Sequence, residues 1–192
     1  MIALPDFRMS VEEYLAWEAT QEERYEYWDG EVVAMSGATR NHNRISGNLF
    51  KLLDDALGDR GCEVYIVDVK VQVEPNRKYF YPDVVVTCDP RENDPQWVQY
   101  PCLIVEVLSP STEAVDRGQK FAKYRQSSTL QEYVLVQATQ PGVEVFRRNE
   151  QGKWVLSEYS LGETMLLESV GVEMAIADIY RQVQFEAEAR EA

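Results

Sequence analysis

Apolar residues recur along this chain at two spacings, and the change from one to the other marks out its elements. Residues 41–57 carry Ile45, Leu49, Leu52, Leu53 and Ala56 on one face at helical spacing, with Gly58 and Gly61 helping to end the helix. An earlier helix is expected to open at Ser10, because Glu13 three residues on completes a capping box. Val11, Tyr14, Leu15 and Glu18 lie at helical spacing there, and this helix is expected to be peripheral. Asp29-Gly30 separates the runs 24–28 and 31–35, which predicts a β-hairpin. Residues 64–74 alternate in part through Val67, Val69, Val71 and Val73, turn at 75–78 and lead into the run 79–88, predicting two paired strands. After a polar, proline-containing loop at 89–101, the run 102–108 predicts a central strand. Ser109-Pro110-Ser111-Thr112 ends that strand and can cap a helix over 113–125. Strands follow at 132–138, 143–148 and 154–159, then a short helix near 174–181 and a Glu/Ala-rich tail to Ala192. The sum is an α/β chain in which an early and a middle helix pack about a mixed sheet.

With 192 residues, 45% of them hydrophobic, the economical expectation is one domain over 1–192, with its core at about 24–148 and C-terminal strands and a helical tail at 153–192. The N-terminus lacks a basic start followed by an apolar run, and no window approaches the roughly 18 apolar residues of a membrane span. A cytoplasmic protein that does not enter membranes is expected. Cys62, Cys88 and Cys102 are odd in number, show no paired spacing and lie in or beside β-like runs, so buried free thiols are expected. The formal charge of −14 argues against tight non-specific binding to nucleic acid. The acids are unevenly spread, however: 32–53 has none but carries Arg40, Arg44 and Lys51, and 117–131 has none but carries Arg117, Lys120, Lys123 and Arg125. Local basic surfaces remain compatible with the pattern.

Candidate chemistry enters with two carboxylates. Asp83 follows Pro82 at the start of Val84-Val85-Val86, and Glu106 sits in the middle of the most apolar strand. A carboxylate among Leu, Ile and Val costs several kcal/mol unless it is paired, protonated or metal-bound. Two neighbouring strands that each present one carboxylate make a hard, all-oxygen site suited to Mg²⁺ or Mn²⁺, completed by water and a backbone carbonyl, for which Val107 is the obvious supplier. Such an ion activates water and neutralises charge developing on a phosphoryl group.

Pro82-Asp83, Glu106-Val107-Leu108-Ser109-Pro110-Ser111-Thr112, and then Asp116, Lys120 and Tyr124 resemble the Uma-two family, also called domain of unknown function 820, within the PD-(D/E)xK nuclease superfamily. The resemblance runs from Tyr14 to about Arg148, taking in the hairpin from Tyr25-Glu26 to Gly30-Glu31, His42 at the opening of the long helix and the Glu132-Tyr133 strand. It implies a restriction-endonuclease-like fold, a four- or five-stranded mixed sheet flanked by helices with an N-terminal helix and hairpin, and an endonuclease activity. It also implies a homodimer, for which the strands after 138 supply edges that need cover. The superfamily places its lysine two residues after the glutamate, where this chain has Leu108. The resemblance implies that the lysine has moved to the next helix, at Lys120. Asp116, Lys120 and Tyr124 recur every four residues and so share one helical face, whereas Lys123 is the second choice and is expected to point to solvent.

Asp83, Glu106 and Lys120 are thus the candidate catalytic residues, and Asp83, Glu106 and the Val107 carbonyl the candidate metal ligands. Glu26 and Tyr124 are possible additions, with Asp29 and Glu31 close enough to compete with Glu26. Glu106 has a structural alternative as half of a buried ion pair with Lys120. His42 fits either a substrate contact or a local hydrogen bond near a helix N-terminus. Tyr124 and Tyr79-Phe80-Tyr81 fit base stacking or core packing. With one histidine, and neither a Gly-x-Ser-x-Gly elbow nor a P-loop, lipase-like and NTPase functions have no support. Two readings of function remain: a Mg²⁺- or Mn²⁺-dependent nuclease acting on nucleic acid, DNA before RNA, and an inert nuclease-fold dimeric module that binds protein.

Overall fold

The computed structural model describes residues 2–35, 37–73 and 78–185. Residues 75–77 of the turn expected at 75–78, and the tail from 186, lie outside the described residues. The chain begins with β1 (Ile2–Arg8), α1 (Val11–Glu18), β2 (Tyr25–Trp28), β3 (Glu31–Ala34) and α2 (Arg40–Leu57). It continues through β4 (Glu63–Ile66), β5 (Lys70–Val73), β6 (Lys78–Phe80), β7 (Val84–Thr87), β8 (Trp97–Val98) and β9 (Pro101–Leu108). One helical run follows, made of α3 (Glu113–Val115), a π-helical turn (Asp116–Lys120) and α4 (Phe121–Tyr124). Last come β10 (Glu132–Gln137), β11 (Val143–Arg148), β12 (Trp154–Tyr159), β13 (Thr164–Leu167), β14 (Val172–Ala175) and α5 (Ile176–Ile179).

The strands form two six-stranded mixed sheets, ordered β1-β3-β2-β6-β5-β8 and β12-β11-β10-β9-β7-β4, with β13 and β14 as a separate hairpin. In the second sheet β9 and β10 are parallel, so the helical run between them supplies the crossover that parallel neighbours require. The Asp29-Gly30 turn behaves as its sequence demands: both residues have positive φ, 50° and 101°, and Trp28 pairs with Glu31 across it. The capping box at Ser10 and Glu13 is present in both directions.

Strand parity divides the core. Val84 and Val86 of β7, and Leu103, Val105 and Val107 of β9, pack against Ile45, Leu49, Leu53 and Leu57 of α2. Each of those fully buried aliphatic side chains stabilises the fold by about 1.5–3 kcal/mol. The alternate residues, Val85, Ile104 and Leu108, face the other way, onto Val71, Val73 and Phe80 of the first sheet and Tyr124 of α4. Glu106 has the parity of Ile104 and Leu108, so the strand pattern sends its carboxylate into the space between the two sheets.

Several expectations are corrected. The run 64–74 is not one strand: the chain leaves the second sheet after Ile66 and joins the first at Lys70, crossing through Val67 and Asp68 at positive φ, 46° and 52°. The run 79–88 divides in the same way at Tyr81-Pro82-Asp83, where proline offers no N–H to a ladder. The two crossings touch, with Val67 N–H donating to the Asp83 carbonyl at 3.2 Å. The α1 helix is not peripheral, for Tyr14 and Glu18 are buried and Tyr14 stacks on Tyr27. Residues 172–175 are a strand, leaving only Ile176–Ile179 helical. Cys62 and Cys88 are not free thiols but form a disulfide joining the entry to β4 with the exit of β7. Antiparallel pairing of Glu63 with Thr87 brings these neighbours together, which spacing in sequence does not reveal. Cys102 is the free, partly buried cysteine.

Candidate active site

Pro82 ends the excursion into the first sheet, and Asp83 lies immediately before β7, where Val84 pairs with Val105 of the antiparallel β9. Continuing that register sets Asp83 opposite Glu106. The Asp83 Oδ2 accepts the Val107 N–H at 2.7 Å and lies 3.3 Å from His42 Nε2. Glu106 is almost wholly buried, and its Oε1 lies 3.0 Å from Lys120 Nζ and 3.2 Å from the Tyr124 hydroxyl. Lys120 Nζ also lies 2.9 Å from Glu26 Oε1 and 3.8 Å from Asp116 Oδ1. Lys120 and Tyr124 therefore meet the Glu106 carboxylate while Asp116 faces Lys120, and the turn that carries Asp116 and Lys120 is π-helical, a bulge common at functional sites.

The electrostatics follow from this crowding. Burial would lower the Lys120 pKa, but Glu106, Glu26 and Asp116 more than offset it and hold the ammonium charged well above the usual lysine range. Burial drives the Glu106 carboxyl well above its ordinary value, with Lys120 opposing and Asp116, Asp83 and Glu26 adding to the rise. Burial likewise raises Asp116. One ammonium cannot neutralise so many carboxylates, and uptake of a proton relieves the excess. For His42, desolvation would lower the pKa, but the hydrogen bond and charge of Asp83 and a hydrogen bond to the Val107 carbonyl raise it.

The competing early acids separate clearly. Glu26 is buried in the cluster and also accepts from Tyr81 N–H at 3.2 Å and Trp28 Nε1 at 3.1 Å. Glu31 instead makes an exposed pair with Arg8, and Asp29 binds Lys78 and Lys123. Lys123 is thus only partly exposed and 2.6 Å from Asp29, rather than pointing freely to solvent. Tyr124 and Tyr79-Phe80-Tyr81 are buried, and Tyr124 packs edge-on against Phe80, so core packing takes them out of reach of a stacking base. Sequence reasoning did not single out a flanking set in which Glu18 accepts from the Tyr81 hydroxyl at 2.6 Å and from Lys70 at 2.9 Å. Its signal was present: Glu18 stands on the apolar face of α1.

Glu26, His42, Asp83, Glu106, Asp116 and Lys120 line a pocket of about 580 Å³, whose wall also takes in the N-terminus of α2 and Ser109, Pro110, Ser111 and Thr112. Its wall holds six carboxylates, Glu23, Glu26, Asp68, Asp83, Glu106 and Asp116, against two fixed cations, Arg24 and Lys120. Arg24 lies 3.6 Å from Asp68, and Lys120 is enclosed by acids. Two residues of the acid-poor stretches are also matched, Lys51 by Asp55 and Arg117 by Glu113 and Glu144. The pocket is accordingly acidic and suited to a cation before an anion.

Among the described residues no cluster of three or more His, Cys, Asp and Glu side chains is placed to hold a metal ion. The donor chemistry nevertheless fits a hard ion that takes part of its shell from backbone and water. The His42 ring tests that fit: it is a nitrogen donor drawn onto the Asp83 carboxylate oxygen that would face the cation, 3.3 Å away.

The fold is that of restriction-endonuclease-like proteins. The chain belongs to the Uma2 family, described as "Putative restriction endonuclease", whose model matches residues 11–177. It is 43% identical over 179 residues to the protein slr1290 of Synechocystis sp., covering 93% of this chain and 94% of that one. It is 37% identical over 163 residues to sll1609 of the same organism, covering 83% and 92%. A crystal structure described as a "putative nuclease belonging to DUF820" from Anabaena variabilis superposes with a TM-score of 0.75 at 13% identity, covering 92% of this chain and 99% of that one. This last likeness bears on fold alone. No helix among the described residues is long and apolar enough to cross a membrane.

Proposed function

We propose that this chain acts as a single domain and is a divalent-metal-dependent nuclease that hydrolyses phosphodiester bonds, with DNA the first substrate to test. The observation that carries this reading is the opposition of Asp83 and Glu106 across β7 and β9, with Lys120 3.0 Å from Glu106. Asp83, Glu106 and the Val107 carbonyl would hold Mg²⁺ or Mn²⁺, which supplies an activated water and neutralises charge on the phosphoryl group. Lys120 would orient that water or stabilise the charge that builds on the phosphoryl oxygens, while Glu26, Asp116 and Tyr124 position the ammonium and Glu106. Burial by both sheets keeps these groups fixed before substrate arrives. The acidic wall makes the metal necessary for admission of a polyanion.

Cleavage of supercoiled plasmid and of single-stranded oligonucleotides with Mg²⁺ or Mn²⁺, alongside Asp83→Ala, tests the reading. Metal-dependent cleavage lost in Asp83→Ala supports it. The same residual cleavage in both proteins would defeat it.

The acidic wall and the buried Glu26–Lys120–Glu106 ion pairs favour a second reading, an inert nuclease-fold module that binds protein. A homodimer fits both readings. Edge strand β12 exposes Val155 and Leu156 at 50% and 45%, and pairing with a second copy would cover that edge.

A further inference from the structure

His42 stands in the third position of the first turn of α2, and its backbone is held at both ends. Its N–H donates to Thr39 Oγ1 at 3.2 Å and its carbonyl accepts from Ser46 Oγ at 2.9 Å. Only the side chain is left to move. The ring is 16% exposed, lies at the wall of the pocket, and reaches Asp83 Oδ2 at 3.3 Å. It therefore sits on one of the three protein oxygens proposed above as metal ligands. Mg²⁺ binds oxygen at about 2.0–2.1 Å and needs the same lone pairs, and Asp83 Oδ2 already accepts the Val107 N–H as well.

We propose that the His42 imidazole is an internal competitor for the metal seat, a gate that must swing off Asp83 before a divalent ion can bind. The inference rests on the metal reading of the site and adds to it a positioning residue on α2. With the backbone pinned, opening is a rotation of the side chain into the pocket, leaving α2 and both strands in place. The metal's apparent affinity is reduced by the fraction of molecules in which the ring is seated. A ring seated in nine molecules of ten weakens metal binding about ten-fold. The alternative role, a nitrogen ligand to the metal, makes the opposite prediction, because removing a ligand weakens binding.

Calorimetric titration of the full chain with Mn²⁺ at one fixed pH, wild type against His42→Ala, separates these roles. The gate predicts about ten-fold tighter binding in His42→Ala. Unchanged or weaker binding in His42→Ala, with measurable binding in wild type, would overturn the gate and leave the metal site standing. Absence of binding in both proteins would overturn the gate and the metal reading together. A second measurement needs no substitution, because His42 is the sole histidine of the chain and its ring signals are unambiguous in a ¹⁵N-histidine-labelled sample. Saturating Mg²⁺ should move those signals to the values of a solvent-exposed imidazole. Ring signals unmoved at saturation would show that the metal and the seated imidazole coexist, and would overturn the proposal.

Discussion

Lys120 Nζ lies 3.0 Å from Glu106 Oε1, although the strand that carries Glu106 has Leu108 where a lysine on the same face would stand. Leu108 is buried against Tyr124 and Leu135, so the strand position is spent on core packing and the cation arrives from the helix.

That arrangement makes the two helical lysines unequal. Lys120→Ala should reduce metal-dependent cleavage by about 10² to 10³, the usual cost of losing a positioned charge at a transition state. Lys123→Ala removes one contact to Asp29, which keeps Lys78, and should cleave within two-fold or so of wild type. Single-turnover cleavage assays give the ranking, and equal rates for both variants would remove Lys120 from the reaction.

Stability should depend on pH through Glu106. Its folded pKa lies above its unfolded value, so the native state holds the proton more tightly and this contribution is present in full at low pH. It is lost as pH rises from the ordinary glutamate range through the folded pKa. Glu106→Gln should therefore melt higher than wild type in metal-free buffer at pH 8, and the gap should shrink toward pH 4. Calorimetric melting across that range checks it; a gap that widens on acidification would reverse the argument.

The disulfide predicts a redox-sensitive melting point. Closing a separation of 26 residues stabilises a chain by about 3.5 kcal/mol, so reduction, or replacement of both Cys62 and Cys88 by alanine, should lower the midpoint measurably. Burial pushes the Cys102 thiol up to about 11, so Cys102 should resist alkylation at pH 8 under conditions that consume an exposed thiol. Peptide mapping after iodoacetamide treatment reports both the pairing and the resistance.

If β12 is the dimer edge, Leu156→Arg should shift the molecule toward a monomer in light scattering without a change in fold. Its side chain is 45% exposed, so the isolated chain tolerates the charge, while an apolar contact between copies would not. A monomer mass for wild type over a wide concentration range would dispose of the dimer.

Local signals settled a good part of this architecture. The capping box at Ser10, the two positive-φ residues of Asp29-Gly30 and the helical face of Ile45, Leu49 and Leu53 depend on interactions within a few residues, and the structure has all three. Glu106 was conspicuous because a carboxylate among valines and leucines requires a partner wherever it is buried, and Asp116, Lys120 and Tyr124 stood out through the resemblance to the Uma-two family, with helical spacing placing them on one face. Other features belong to tertiary structure. Glu26 could be told from Glu31 only once one face of β2 was turned toward the helical run, since alternation gives two faces and does not say which is inward. The division of 64–74 and 79–88 between two sheets depends on where neighbouring strands end, and the Cys62–Cys88 bond on the register of β4 against β7. His42, near a helix start in sequence, meets Asp83 because α2 packs across β7 and β9. Periodicity determines which residues share a face; only packing decides what that face meets.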